Sequence, residues 1–139
     1  MLITNPFSEL SATIPSIALQ IFVIAMVVLV AIGTLLESEI QLLVYSGGDG
    51  TTRDIVSALD SAGSPSLPVI GVPSGVKMHS GCFASSPKAA AEVLSAWIQG
   101  DLLVSSTEVL DLDEELYRGG QWVVRLYAEA FSPNSPRWM

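Results

Sequence analysis

The chain has 139 residues, the length of one ordinary domain, with 14 Asp and Glu against 6 Lys and Arg and a net charge of −8. That balance argues against nucleic acid as a partner, because holding a phosphate backbone takes clustered Lys and Arg. One cysteine, Cys82, and one histidine, His79, exclude an internal disulfide and a zinc site, unless carboxylates complete the latter.

Half of the residues are hydrophobic, and the excess is concentrated near the N-terminus. Residues 17–36 read IALQIFVIAMVVLVAIGTLL, without a charge. A run of about twenty apolar residues is long enough to span a bilayer. The flanks give no support, since no Lys or Arg precedes Arg53: a signal peptide's basic n-region and the usual orientation signal are both missing there. Three readings stand side by side. The run is a transmembrane helix; or it is a fully buried helix and strand of an α/β domain, for which Ile24 to Ile32 are suitably β-branched; or the N-terminus is not the natural one, through a shifted reading frame or a misplaced start.

From Glu37 onward the texture changes. Ile40 to Tyr45 predicts a short buried strand that enters the Gly-rich loop Ser46-Gly47-Gly48-Asp49-Gly50. Thr51 to Ala62 predicts a helix, with Ile55, Val56 and Leu59 at helical spacing. A loop over 63–68 leads to a second short strand, Val69 to Val72, ended by Pro73-Ser74-Gly75. Pro87 to Gly100 predicts the clearest helix: Ser85 or Ser86 caps it, Pro87 suits its first turn, Gly100 its stop, and Ala90, Val93, Leu94, Trp97 and Ile98 form its apolar stripe. Leu102 to Leu112 and Gln121 to Tyr127 read as extended, and 131–139 as an irregular end. Between the extended segments, the acidic run Asp111 to Glu115 reads as the solvated start of a short helix rather than a metal site. A strand–loop–helix order repeated in this way predicts a parallel sheet flanked by helices, with both Gly turns on one sheet edge facing one cleft.

The chemistry concentrates in Gly47-Gly48-Asp49-Gly50-Thr51. Glycines let backbone N–H groups approach a phosphate, and the following helix points its positive end at the same place. The Thr51 hydroxyl can donate to a phosphate oxygen. A carboxylate at Asp49 repels phosphate, so it makes sense if it holds Mg²⁺ indirectly or accepts a proton from an attacking hydroxyl. The plain alternative is an Asp-Gly turn between strand and helix. In the second turn, Lys77 is the nearby cation, and Ser74, His79 and Ser80 could hydrogen-bond phosphate or ribose; for His79 a structural hydrogen bond is an equal alternative. For Arg53 and Asp54 a structural Arg–Asp pair is favoured over catalysis. Cys82 reads as a small buried thiol.

Leu42 to Ile55, LLVYSGGDGTTRDI, resembles the signature of ATP-NAD kinase-like proteins, whose GGDGT core is shared with diacylglycerol and sphingosine kinases and phosphofructokinases. Pro68 to Ser85, PVIGVPSGVKMHSGCFAS, resembles the bacterial and archaeal subgroup more specifically, and Glu108 to Tyr127 resembles the link into that family's second domain. The resemblance covers about residues 40 to 128. It implies a Rossmann-like three-layer parallel sheet of the NAD kinase N-terminal-domain type, incomplete and preceded by an apolar helix. Residues 1–39 form the apolar segment, 40–105 the nucleotide-binding core, and 106–139 the link toward a second, largely β domain.

The resemblance further implies phosphoryl transfer from ATP or polyphosphate to the ribose 2′-hydroxyl of NAD, giving NADP, with Mg²⁺ present. Asp49 would activate the hydroxyl, and Gly47, Gly48, Gly50 and Thr51 would line the phosphate site, with Ser74, Gly75, Lys77, His79 and Ser80 as further candidates. Two alternatives are kept: a nucleotide-binding module without turnover, and a membrane-anchored relative of the lipid kinases. Expected partners are nucleotide substrates and a second copy of the chain in a homo-oligomer, with a membrane as the alternative through residues 17–36. The expected location is the cytoplasm, or a membrane anchored through that run.

Overall fold

The computed structural model describes residues 16–74, 78–113, 116, 118–135, 137 and 139; within the first helix the side chains of 16–18, 21, 22 and 25 lie outside that description. The elements follow in the order α1 (Ser16–Leu36), β1 (Leu43–Gly47), α2 (Asp49–Ser61), β2 (Val69–Pro73), α3 (Pro87–Ile98), β3 (Val104–Leu112) and β4 (Val124–Pro133).

β1 and β2 pair in parallel, in a register that sets Leu43 beside Val69 and Gly47 beside Pro73. Both strands therefore deliver their turns to the same sheet edge, as the sequence order predicts. β2 is buried on both faces, because successive strand residues point to opposite sides. Val69 joins Ile32, Leu43, Ile55, Leu59, Val109 and Ala130 in one core cluster. Ile70 joins Ala84, Ala89, Ala90 and Val93 in the other. α1 and α2 thus serve one face of the pair and α3 the other. The result is a mixed α/β fold with a small parallel two-stranded sheet.

β3 and β4 form a separate antiparallel pair. The predicted extended segments are real, but β4 runs on to Pro133, into the end expected to be irregular. The register shifts between Val109, which faces Ala128, and Leu110, which faces Leu126. Tyr127 is the extra residue of that bulge, and an unpaired residue of this kind turns its side chain away from the regular pleat.

Helix boundaries shift for local reasons. α2 starts at Asp49, two residues before the expected Thr51, because a carboxylate is favoured in the first turn beside the positive end of the helix dipole. α3 is capped as expected: the Ser86 hydroxyl accepts from the Ala89 N–H at 3.0 Å, with Pro87 at the start. Gly100, at φ 79°, takes the left-handed position after the helix. Ile98 leaves the predicted stripe and is 83% exposed, since the helix ends there.

α1 is one continuous helix, not a helix and a strand. Val28, Ile32 and Leu36, spaced four apart, pack on the core, with Ile32 buried. Val23, Ile24, Val27 and Val30 on the other side are half or more exposed. Among the described residues no helix is long and apolar enough to cross a membrane. One face of α1, that of Val28, Ile32 and Leu36, is committed to protein. The membrane-span reading of 17–36 is set aside on that ground.

Candidate functional site

The site begins where β1 runs into α2. Gly48 is the N-cap residue, extended at φ −119° and ψ −166°, and no side chain caps the helix. The Thr52 N–H makes a bond back to the Gly48 carbonyl at 3.1 Å, so the amides of Asp49, Gly50 and Thr51 stand at the open, positive end of α2. Gly47 has a packing reason: a Cβ there would fall 2.6 Å from Thr51 Oγ1 and 2.7 Å from Thr51 Cβ. The threonine folds back over the glycine, which ties the two motif residues together.

Asp49 is buried, 3% exposed. Its Oδ1 accepts from the Ser80 N–H at 2.9 Å, and its Oδ2 accepts from the His79 N–H at 2.7 Å. Oδ2 also lies 2.9 Å from His79 Nδ1. The two motifs, 30 residues apart in sequence, meet on this one carboxylate.

The segment that carries His79 and Ser80 is fixed from both sides. Toward β2, Gly71 N–H donates to Cys82 O at 2.9 Å and Ala84 N–H to Gly71 O at 3.0 Å, forming a parallel bridge between Gly71 and Phe83. Toward β3, Gly81 N–H donates to Glu108 O at 2.9 Å. Ser80 Oγ donates to Leu110 O at 3.0 Å and accepts from Leu110 N–H at 2.9 Å. The segment thus joins the parallel sheet to the antiparallel pair. Gly81 is required in it, because a Cβ would overlap the Thr107 hydroxyl.

Under the loop lies a buried polar chain. Thr52 Oγ1 donates its one proton to Gly48 O at 3.1 Å, so the Tyr45 hydroxyl, 2.6 Å away, donates to Thr52. That leaves the Cys82 thiol, 3.2 Å from the Tyr45 oxygen, as donor to it. Burial raises both groups above their usual ranges: Tyr45 first by desolvation and then by neighbouring Cys82, and Cys82 by desolvation. The buried, inert reading of Cys82 agrees with its zero exposure.

Arg53 pairs with Asp111 Oδ2 at 3.2 Å, and its guanidinium carbon stands 3.5 Å over the Tyr127 ring. Its partner is therefore not Asp54. The Asp54 carboxyl is raised, first by desolvation and also by Asp111, with Arg53 acting against. In the acidic run, Asp111 belongs to β3, while Asp113 accepts from the Leu116 N–H at 3.1 Å and pairs with Arg125. Glu114 and Glu115 lie outside the described residues.

Of the predicted site residues, Gly47, Gly48, Asp49, Gly50, Thr51, His79 and Ser80 are brought together. Ser74 is exposed at the end of β2, and Gly75 and Lys77 lie outside the described residues. The Ser80 hydroxyl is engaged on both sides by Leu110. Sequence reading did not single out Tyr45, Thr52, Leu110, Asp111 and Tyr127, although all five lie within the stretches 42–55 and 108–127 that carry the resemblance. For Mg²⁺ the donor set does not fit: both Asp49 oxygens are taken by N–H donors. Among the described residues no group of three or more His, Cys, Asp or Glu could hold a metal ion.

A strand, an open glycine turn, an uncapped helix N-terminus and a buried carboxylate meet at this edge of a mixed α/β domain. The family model described as the ATP-NAD kinase N-terminal domain matches residues 9–102, and the chain belongs to that family. The family is ATP-dependent, with NAD as substrate. The match starts well before residue 40, where the resemblance was expected to begin. It takes in the run 17–36. It ends at 102, before β3 and β4. No match is found among curated proteins or among solved structures.

Proposed function

We propose that the chain is the nucleotide-binding part of an ATP-NAD kinase-like phosphotransferase, acting on the ribose 2′-hydroxyl of NAD with ATP as donor. The observation that carries this reading is the meeting of the two family-like motifs on Asp49, directly below the open N-terminus of α2. The amides of Asp49, Gly50 and Thr51, with the Thr51 hydroxyl, form a cradle for the anionic phosphates. Gly47 and Gly48 let that anion approach the backbone. Phosphoryl transfer needs chiefly positioning, neutralisation of charge and a group that draws the proton from the attacking hydroxyl. Asp49 supplies the negative charge for the last of these. Mg²⁺ accompanying the nucleotide would supply further neutralisation of the phosphate charge. The larger three-layer parallel sheet of the family's N-terminal domain, which this reading includes, extends the two-stranded core of β1 and β2.

The test is to incubate the purified 139-residue chain with NAD, ATP and Mg²⁺ and to measure NADP. Formation of NADP with matching release of ADP is the expected result. Saturable ATP binding without NADP would replace the enzyme reading with that of a nucleotide-binding module. Absence of both would remove the phosphate-cradle reading as well.

A further inference from the structure

We propose that α1 is an interaction surface for a second copy of this chain, and that the two α1 helices pack antiparallel across a two-fold axis. The helix has two apolar faces, and its own fold uses one. Val28, Ile32 and Leu36 pack on the core. At about 3.6 residues per turn, the opposite face carries Val23, Val27, Val30 and Thr34. Val23 is 50%, Val27 62% and Val30 65% exposed, and Thr34 is exposed beside them. Their spacing of four, three and four is that of a seam along which one helix packs on another.

The seam is suited to burial. The Thr34 hydroxyl donates to the Val30 carbonyl within the helix at 3.0 Å, so it enters a dry contact with its hydrogen bond already made. Gly33 lies at the rim, and a Cβ there would meet nothing within 4 Å, which leaves room for a neighbouring helix to come close. Val23, Ile24, Met26, Val27 and Val30, with the smaller residues beside them, present roughly 600 Å² per copy, or about 1,200 Å² in a symmetric pair, the lower end of specific, stable interfaces.

Charge selects the occupant and its direction. Residues 17–36 carry no charge, so a helical partner must be as apolar as α1, and a second copy meets that condition with the same patch on both sides. A lipid surface fits less well. Helices that lie in a membrane interface carry Lys and Arg on their polar face, whereas no Lys or Arg precedes Arg53 and the chain's net charge is −8. Glu37 and Glu39 follow the helix directly. A parallel pair would crowd both copies' carboxylates at one end, beside the negative ends of both helix dipoles. An antiparallel pair separates them. The register that keeps the seam whole sets Val27 against the partner's Val30 and Val23 against the partner's Thr34.

Sedimentation velocity of the full chain tests the association. Between about 1 and 100 μM the chain should pass from monomer to dimer, and its urea midpoint should rise with protein concentration. Val27 is exposed in the single chain, so Val27→Lys should fold. It should raise the dimer dissociation constant by about 100-fold or more, because its ammonium would lose water in the seam. Its urea midpoint should match that of the dilute parent and not move with concentration. Val23→Cys and Thr34→Cys chains, mixed and mildly oxidised, should yield the 23–34 disulfide between copies, with Cys82 protected by burial. A chain that stays monomeric over the whole range overturns the proposal, as does a dimer that Val27→Lys leaves intact. Disulfides formed only between identical positions overturn the antiparallel arrangement. Flotation of a monomeric chain with phosphatidylcholine–phosphatidylglycerol vesicles would assign the face to lipid and overturn the proposal as well.

Discussion

Replacing Asp49 with asparagine removes a charge without changing shape, and the site geometry sets the size of the effect. The carboxylate accepts three bonds of 2.7–2.9 Å, two on Oδ2 from His79 and one on Oδ1 from Ser80. An amide has one oxygen. In its better orientation that oxygen faces His79, and the NH₂ group then faces the Ser80 N–H, donor against donor. One buried N–H is left unsatisfied, at about 1–3 kcal/mol. The two remaining bonds change from charge-assisted to neutral, losing roughly half their strength, or ~1 kcal/mol together. Relief of the desolvated charge offsets part of this. The net expectation is a loss of about 2–4 kcal/mol, a fall in Tm on the order of 10 °C at this chain length. Urea unfolding should show the lower midpoint with an unchanged m-value. A variant within ~0.5 kcal/mol of the parent would refute the claim that Asp49 pins the 79–80 segment. Lost turnover in this variant should accompany lost stability, so its ATP binding is to be measured below its own melting range.

Three further outcomes follow from the packing and the titrating groups. Gly71→Ala would place a Cβ 2.5 Å from the Phe83 ring and 2.9 Å from the Tyr45 hydroxyl; a loss of about 1–3 kcal/mol in urea unfolding is expected, and Phe83→Leu in the same chain should recover part of it. Asp54 has its carboxyl raised in the fold, so the charged form disfavours the native state once pH lies above both the folded and unfolded values. Asp54→Asn should therefore raise Tm at pH 7, with the gain disappearing as pH falls through the ordinary carboxylate range; a gain that persists in acid would contradict the assignment. Cys82 has no exposure and a raised thiol, so a disulfide reagent should label it slowly in the folded chain and rapidly in urea; equal rates would show that the 79–84 segment is open.

Much of the fold could be read because its signals are local. Apolar runs ended by glycine or proline marked β1 and β2, and the serine–proline start of α3 carried its own cap. The placement of both turns on one sheet edge followed from the parallel order and appears in the register of Gly47 with Pro73. The GGDGT loop was legible because its residues are contiguous. What was not legible depends on partners far apart in sequence. Ser80 meets Leu110 over 30 residues, and Arg53 meets Asp111 over 58. A serine in a turn or an aspartate in an acidic run carries no mark of its partner. The nearer neighbour Asp54 was the natural guess for Arg53, but residues one apart on a helix point in different directions and do not face each other.

This dependence on distant partners bears on where the site ends. The family match stops at residue 102, yet the His79–Ser80 segment is held by Glu108 and Leu110 of β3. β3 in turn is held by β4 along its length. The bulge in that pair makes Tyr127 the extra residue, and its ring lies under Arg53, on the helix whose N-terminus faces the proposed phosphates. The antiparallel pair is therefore part of what positions Asp49, although it contributes no group to the proposed reaction. A carboxylate kept this dry needs donors on fixed backbone, because a mobile loop would let water compete for it. The strand addition at 79–84 supplies such a backbone. The same Asp-Gly turn without β3 beside it would have the sequence of the site but not its hydrogen bonds.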